Sequence, residues 1–134
     1  VLPALLRKFH EAKLVGAKEV VLWGTGSPLR EFLHCDDLAD ALILLLKHYS
    51  DHEHINVGSG NEVTIKELAA IIARVVGYDA KLVFDPSKPD GTPRKLMDIT
   101  RLKSLGWESS ISLRSGLANT YAWFKNNIDN IRAN

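Results

Sequence analysis

Apolar residues recur three and four positions apart over several stretches of the chain, which is the pattern of helices with one buried face. Polar residues mark where these stretches begin. Thr64 and Glu67 have the spacing of a capping box, Ser112 is a typical N-cap, and Asp36 or Asp37 is expected to cap a third helix. The predicted helices cover residues 2–14, from 36 or 37 to about 48, 65–76, 100–105, and from 113 to about 127.

Short apolar runs alternate with these helices and predict strands at residues 20–23, 30–34, 55–57 and 81–84. Glycine- and proline-rich segments at 24–28 and 85–93 predict a turn and a loop. Strands that alternate with helices indicate an α/β fold. The strands are too few and too short for a complete doubly wound sheet, so we expect a small lobe that packs on a larger domain.

The beginning of the chain supports the same expectation. It starts at Val1, without an initiator methionine or a signal peptide, and goes directly into a helical pattern. We therefore expect a single domain over residues 1–134 that is a piece of a longer protein. We also expect its first helix to expose the face that packs on the rest of that protein, a face formed by Leu2, Leu5, Leu6 and Phe9.

The composition narrows the possible functions. Of the 134 residues, 17 are Lys or Arg and 16 are Asp or Glu, so the formal net charge of +1 argues against a nucleic-acid-binding protein. A hydrophobic content of 46% excludes intrinsic disorder. The longest apolar run, at 41–46, is far shorter than the ~20 residues of a membrane-spanning helix. A single cysteine, Cys35, excludes an intramolecular disulfide and favours the cytoplasm.

Two glycine pairs follow predicted strands and raise the question of a phosphate-binding loop. A dinucleotide fingerprint needs a third glycine three positions after the second. Leu29 stands there after Gly24 and Gly26, and Val63 stands there after Gly58 and Gly60. We therefore interpret both pairs as tight turns and predict no dinucleotide site in this chain.

Clustered histidines could bind a metal and paired carboxylates could act in acid/base catalysis, but the positions of these residues in the sequence favour neither function. His48, His52 and His54 lie close together, but within a single predicted loop, whereas zinc ligands usually come from separate ordered elements. Asp36 and Asp37 could form an acid/base pair, but at a helix start they are more typical of caps. We predict no metal site.

The segment 88–95 is the most distinctive candidate for binding. It places three cations, a carboxylate and a hydroxyl on a loop stiffened by proline, which reduces the entropy lost when the loop orders around a ligand. Cations suit a diphosphate, and a carboxylate suits sugar hydroxyls. Trp23, beside Gly24, could stack on a base or a sugar. The alternatives are a solvated surface loop and a core tryptophan.

Five segments resemble a known family. Residues 30–39 (REFLHCDDLA), 55–60 (INVGSG) and 98–107 (DITRLKSLGW) resemble segments of the extended short-chain dehydrogenases that act on nucleotide sugars. Within that family, residues 1–10 (VLPALLRKFH) and 84–95 (FDPSKPDGTPRK) resemble enzymes that both epimerise and reduce a GDP-linked keto-sugar. The resemblance covers nearly the whole chain.

The resemblance implies the small carboxy-terminal substrate-binding lobe of an extended short-chain dehydrogenase/reductase, without its amino-terminal Rossmann domain. The complete enzyme would be a cytoplasmic homodimer. It would epimerise GDP-4-keto-6-deoxy-D-mannose at C3 and C5 and reduce the C4 ketone with NADPH, and its NADP would be bound mainly by the Rossmann domain. The family's catalytic residues precede Val1, so the resemblance implies no catalytic, cofactor-binding or metal-binding residue here and no activity of this chain alone. We also expect the chain to lack the Tyr-x-x-x-Lys pair that reduction in this family uses.

The resemblance also implies which residues contact the substrate. Arg30 is expected to matter most, because a guanidinium can bind two phosphate oxygens at once. The alternative for Arg30 is a surface ion pair with Glu31 or another nearby carboxylate. The expected substrate-binding residues are Lys8, Trp23, Arg30, Lys88 and Asp90, with Lys81 as a weaker candidate.

Three other functions stay open from the residues alone. One is another nucleotide-sugar epimerase or dehydratase of the same family. The second is a GDP-sugar-binding module without catalysis, and the third is a domain that only mediates protein interactions.

Overall fold

The computed structural model describes residues 1–79 and 81–131 and has an α/β fold, as predicted. This part of the chain contains five helices and five short strands, which are interspersed along it. The helices are α1 (Leu2–Leu14), α2 (Cys35–His48), α3 (Ile65–Val76), α4 (Thr100–Ser104) and α5 (Leu113–Asn127), followed by a 3₁₀ turn (Ile128–Asn130). The strands are β1 (Glu19–Trp23), β2 (Leu29–Glu31), β3 (Glu62–Thr64), β4 (Lys81–Asp85) and β5 (Arg94–Lys95).

Helices that carry their own capping residues begin where the sequence predicts. The Thr64 hydroxyl accepts from the Glu67 N–H at 3.1 Å, and the Glu67 carboxylate accepts from the Thr64 N–H at 2.8 Å, so the capping box is complete. The Ser112 hydroxyl accepts from the Ser115 N–H at 3.2 Å. The pattern predicts fraying from Ile128 onward. Residues Ile128–Asn130 form the 3₁₀ turn, and residues 132–134 lie outside the described residues.

The predicted cap of α2 is wrong. The N-cap is His34, whose Nδ1 accepts from the Asp36 N–H at 3.2 Å. Asp36 lies in the exposed first turn, while Asp37 is buried and binds the loop before α5. A histidine ring nitrogen can accept a hydrogen bond from a backbone N–H, as the side-chain oxygen of a usual N-cap residue does. The N-cap preferences of the amino acids alone do not predict this cap.

The strands form two small sheets. In one, β1 and β4 are parallel, with Trp23 opposite Asp85. In the other, β2 lies between antiparallel β3 and parallel β5. The strand predicted at 30–34 forms as β2, which begins one residue earlier and ends three residues sooner than predicted. The strand predicted at 55–57 does not form. The short strands β3 and β5 were not predicted, because their pairing with β2 rather than their own pattern makes them strands.

The core lies where α1, α3 and α5 pack with β1. Its members are buried side chains from these four elements: Leu6, Phe9, Val20, Leu22, Leu68, Ala69, Ile72, Val76, Leu117, Tyr121 and Phe124. A second cluster joins α2 to α4 through Ala41, Ile99, Leu102 and Trp107.

The expected exposure of α1 is wrong, and another helix carries an exposed apolar face. Leu6 is 2% exposed and Phe9 is fully buried, because α3 packs against α1. The exposed apolar surface is instead on α2, and we call it the α2 stripe: Leu38, Leu42, Ile43 and Leu46.

No helix in the described part of the chain is both long enough and apolar enough to cross a membrane.

Candidate ligand-binding site

The candidate site lies at the carboxyl ends of the parallel strands β1 and β4. Trp23 ends β1 and Asp85 ends β4, so the turn 24–28 and the loop 86–93 leave the sheet side by side. The Gly24 N–H donates to the Asp85 carbonyl at 2.9 Å and continues the pairing by one residue. Ligands of α/β sheets generally bind outside the carboxyl ends of the strands, so this edge is where a ligand is expected.

An exposed tryptophan and a lysine face each other at this edge. Trp23 is 69% exposed although it is adjacent to the buried Leu22. Side chains alternate along a strand, and β1 buries Val20 and Leu22 while it exposes Trp23. The Lys88 ammonium lies 5.8 Å from the centroid of the Trp23 ring, within the range of a cation–π contact. The pair offers a large flat surface and a positive charge to a ligand.

Asp90 joins the loop 86–93 to the turn 24–28. One oxygen of its carboxylate accepts from the Thr25 N–H and the other from the Thr25 hydroxyl, both at 2.7 Å. Donation from the Thr25 hydroxyl, then from the Thr25 N–H, lowers the pKa of Asp90 below its ordinary value. A Cβ on Gly24 would overlap an oxygen of this carboxylate. The glycine turn therefore binds a carboxylate of the chain itself. Asp90 was expected to accept hydrogen bonds from a sugar, but both of its oxygens already accept from Thr25.

Arg30 is next to the same loop. Its Nη1 donates to the Leu29 carbonyl at 2.7 Å, and its Nη2 lies 3.9 Å from where a Cβ on Gly91 would stand. The alternative ion pair with Glu31 does not form. Within the described residues, no carboxylate lies within 4.0 Å of the charged groups of Arg30 or Lys88. Both cations are therefore free to bind an anion.

Glu31 instead binds backbone groups of two other segments. Its carboxylate accepts from the Gly60 N–H at 2.6 Å and from the Met97 N–H at 3.0 Å. A Cβ on Gly58 would lie 2.6 Å from the same carboxylate, which explains why glycine stands there. The sequence analysis missed this role, since a glutamate on a short strand carries no signal for which backbone groups it will bind.

Arg94, another cation of the segment 88–95, is paired with a carboxylate. Arg94 forms an ion pair with Glu62, in which its Nε–H is shared between the two carboxylate oxygens at 3.1 and 2.8 Å. Hydrogen bonding to Glu62 raises the pKa of Arg94. Arg94 therefore joins β5 to β3 and contributes little net charge to a ligand.

Lys8 and Lys81 are placed apart from the cluster. The Lys8 ammonium donates to the Val21 carbonyl, two residues before Trp23, so it lies along β1 close to the site. Lys81 begins β4, at the opposite end of that strand from Asp85. Four residue steps of a strand place it roughly 13 Å from the carboxyl end, so Lys81 does not join Trp23 and Lys88.

The histidine cluster at 48–54 does not converge in the structure. His52 is 94% exposed and pairs with its neighbour Asp51. In the described part of the chain, three potential metal ligands come within 4.8 Å of one another only at His34, Cys35 and Asp36. There the His34 Nδ1 already caps α2.

The expectation that the chain lacks a Tyr-x-x-x-Lys pair is wrong, because this spacing occurs at Tyr121 and Lys125. Tyr121 is 6% exposed, and its hydroxyl lies 3.1 Å from His10 Nδ1. Burial raises the pKa of Tyr121, whereas a proton-transfer group needs a pKa nearer neutrality. The Lys125 ammonium lies over the ring, 5.1 Å from its centroid, so the pair belongs to the core and its rim.

Comparison with known proteins gives the same family as the sequence motifs. Residues 1–58 match the NAD dependent epimerase/dehydratase family. The chain is 64% identical over 130 residues to GDP-L-fucose synthase 1 of Arabidopsis thaliana, covering 97% of this chain and 40% of that protein. It is 55% identical to GDP-L-fucose synthase of Escherichia coli K12, covering 98% of this chain and 44% of that protein. The chain thus spans about 40% of the length of these relatives.

A solved structure agrees with this result. The GDP-L-fucose synthetase of Naegleria fowleri bound to NADP superposes with a TM-score of 0.92 at 29% identity, covering 99% of this chain and 42% of that one. Sequence and fold therefore lead to the same conclusion: this chain is homologous, over the part it spans, to the GDP-L-fucose synthases, and its first 58 residues match the NAD dependent epimerase/dehydratase family.

Proposed function

We propose that this chain supplies the GDP-sugar-binding part of a GDP-L-fucose synthase. In that reaction GDP-4-keto-6-deoxy-D-mannose is epimerised at C3 and C5 and its C4 ketone is reduced by NADPH to give GDP-L-fucose. The identity of 55–64% to proteins of that name, over nearly all of this chain, supports the proposal.

The observation that carries the proposal is the arrangement of Trp23, Lys88 and Arg30 around the loop 86–93. Two cations without a carboxylate partner among the described residues suit the two phosphates of a nucleoside diphosphate, since charge-assisted hydrogen bonds are stronger than neutral ones. The Trp23 face suits stacking on a flat base or against a sugar ring. Lys8, along β1, adds a further positive charge.

In this proposal the lobe positions the substrate and the chemistry takes place elsewhere in the protein. Holding the nucleotide remote from the reacting carbons orients the sugar, which is itself a contribution to catalysis. NADP is bound mainly by a Rossmann domain that packs on this lobe, and the complete protein is a cytoplasmic homodimer. The lobe alone neither epimerises nor reduces, so NADPH oxidation above a blank by the purified 134-residue chain would contradict this division of labour.

Two features support a packed domain beside this lobe. The α2 stripe exposes four large apolar side chains that gain by burial. The segment 55–57 has a strand pattern but pairs with no strand within the described residues. The exposed α2 stripe and the strand pattern of 55–57 are both explained if a sheet in another part of the same protein packs on α2 and pairs with 55–57 at its edge.

The test replaces Arg30 in the complete protein that contains this chain. Arg30→Ala removes a charge-assisted pair worth roughly 1.5–3 kcal/mol, so we expect GDP affinity to fall about 10- to 100-fold in isothermal titration. Arg30→Lys should recover part of the loss, because a lysine keeps the charge without the two-pronged geometry.

The matched control is Arg101→Ala, since Arg101 is paired with Glu53 outside the site. Its GDP affinity should equal that of the unmodified protein, and NADPH affinity should hardly change in any variant. Unchanged GDP affinity in Arg30→Ala, with the fold intact, would contradict the proposed site.

A further inference from the structure

We propose that Asp90 and Thr25 act together as a clasp that positions Trp23 and Lys88, and that this clasp sets the affinity of the site for a nucleoside diphosphate. The inference rests on the proposed function and gives Asp90 a role other than direct contact with the ligand. It also assigns a role to Thr25, which neither the motifs nor the comparisons single out.

The first step is the position of the clasp in the chain. Thr25 stands two residues after Trp23, and Asp90 stands two residues after Lys88. The two hydrogen bonds between Thr25 and Asp90 therefore join the segment that carries the Trp23 ring to the segment that carries the Lys88 ammonium. In each segment the clasp residue is only two residues away from the side chain that it positions. The 5.8 Å separation of the ammonium and the ring depends on this junction, because Lys88 itself lies in an exposed loop.

The second step is the direction of the hydrogen bonds. The Thr25 hydroxyl has one proton, and it donates that proton to the Asp90 carboxylate. Its lone pairs face Ser27, whose N–H donates to the hydroxyl at 3.2 Å and whose own hydroxyl lies 2.7 Å away. Ser27 therefore fixes the orientation in which Thr25 donates, and the three side chains form one connected network.

The third step is the fit of the backbone to the carboxylate. Gly24 has φ of +81°, in the left-handed region, and a Cβ there would occupy the place of an Asp90 oxygen. The turn thus needs glycine both for its conformation and for the close approach of Asp90. A carboxylate close enough to exclude a Cβ is a fixed part of this turn and is not free to turn toward a ligand.

The consequence concerns the cost of binding. A loop that is already held in place loses less conformational entropy when a ligand binds, and only the competent fraction of a mobile site contributes to affinity. If the clasp opens, Trp23 and Lys88 keep their chemistry but lose their fixed separation. The effect should therefore appear as weaker binding without loss of any group that touches the ligand.

The experiment is a double-mutant cycle in the complete protein, with GDP as the probe in isothermal titration. Thr25→Val removes the hydroxyl at constant shape, Asp90→Ala removes the carboxylate, and a third variant carries both. We expect each single change to weaken GDP binding about three- to tenfold, and the double variant to bind as weakly as Asp90→Ala alone. Thr25→Ser keeps the hydroxyl and should retain the original affinity.

The matched control is Thr100→Val. Thr100 and Asp98 form an equivalent pair at the start of α4, with the hydroxyl 2.6 Å and the N–H 3.0 Å from one carboxylate oxygen. Its loss should leave GDP affinity unchanged. Unchanged affinity in Thr25→Val, or a loss with Asp90→Ala that adds to that of Thr25→Val, would overturn the clasp, because additive losses indicate that Asp90 contacts the ligand directly.

A second measurement tests the clasp without a ligand. Hydrogen exchange of residues 24–28 and 86–92 should accelerate several-fold in both Thr25→Val and Asp90→Ala, and should stay unchanged in Thr100→Val. Unchanged exchange in both segments would overturn the clasp. If the unmodified protein fails to bind GDP, the proposed function fails, and exchange still decides whether the clasp exists.

Discussion

Two adjacent aspartates at the start of α2 have opposite environments. The side chain of Asp36 is 79% exposed, whereas Asp37 is 5% exposed and accepts three hydrogen bonds. The donors are the Ser110 N–H and hydroxyl, at 3.2 and 2.9 Å, and the Ile111 N–H, at 2.9 Å. Burial alone would raise the pKa of Asp37, but these donors, with Ile111 foremost, lower it below the ordinary value. Asp37 thus ties α2 to the segment that leads into α5.

Asp37→Asn should therefore destabilise the fold. The amide nitrogen of asparagine would face an N–H donor and leave it unsatisfied, which costs about 1–3 kcal/mol in the free energy of unfolding. The folded-state pKa of Asp37 is lowered, so its stabilisation is complete above the ordinary value of 3.8 and is lost as the pH falls through the folded-state value. Denaturant unfolding of both proteins should thus give a difference that is largest at neutral pH and shrinks below about pH 4.

Asp36→Asn is the matched control, because Asp36 carries the same charge one residue away without the buried partners. Its unfolding free energy should change by less than about 0.5 kcal/mol. Equal effects of the two substitutions would contradict the assigned role of Asp37.

At the scale of elements, helices with local capping signals behave differently from strands. The start of α3 depends on Thr64 and Glu67, which are three residues apart and bind each other's backbone. Donation from the Thr64 N–H and hydroxyl lowers the pKa of Glu67, so the box is complete with the carboxylate ionised. Strand β2 instead depends on partners more than 30 residues further along the chain for β3 and more than 60 for β5. Such pairing cannot be predicted from two or three residues.

Thr64→Ala should destabilise the fold by about 1 kcal/mol, because it leaves the Glu67 N–H without its capping acceptor. Thermal or denaturant unfolding measures this loss. Lys66→Ala, in the exposed first turn of the same helix, is the control and should change stability little. A stability equal to that of the original chain in Thr64→Ala would mean that solvent satisfies the helix start as well as the capping box does.

At the scale of the whole molecule, the α2 stripe is an apolar surface that the described residues leave exposed. Leu38, Leu42 and Leu46 are four residues apart and therefore lie along one side of α2. They are 40%, 50% and 86% exposed. A helix normally buries such a row, and exposed apolar surface of this kind favours association.

We therefore expect the 134-residue chain by itself to self-associate through the α2 stripe. Leu42→Gln combined with Leu46→Gln should increase the monomeric fraction in light scattering or sedimentation, since it removes most of the exposed apolar row. Leu14→Gln, at the end of α1, changes a leucine that is 72% exposed outside the stripe and should have little effect. A chain that is monomeric at tens of micromolar before any substitution would contradict this expectation.

The sequence by itself determined the features that depend on near neighbours. These features are the bounds of α1, the capping box of α3, the Ser112 cap, the turn at 24–28 and, apart from Asp85, which ends β4, the loop predicted at 85–93. They follow from residues a few positions apart, whose preferences act through local backbone geometry. The family resemblance of residues 84–95 likewise identified Lys88 and Asp90 as candidate substrate contacts. The resemblance of residues 30–39 did the same for Arg30.

Only the tertiary structure decided what depends on distant partners. It buried Leu6 and Phe9 of α1 against α3 and left the α2 stripe exposed. It left 55–57 without a strand partner among the described residues and placed Lys81 at the far end of β4. It also engaged Asp90 with Thr25, a residue 65 positions earlier, so that a carboxylate expected to bind a ligand binds the chain itself. The physical reason is the same in each case: burial and hydrogen bonding are satisfied by whichever groups the fold brings together, and the local pattern does not identify those groups.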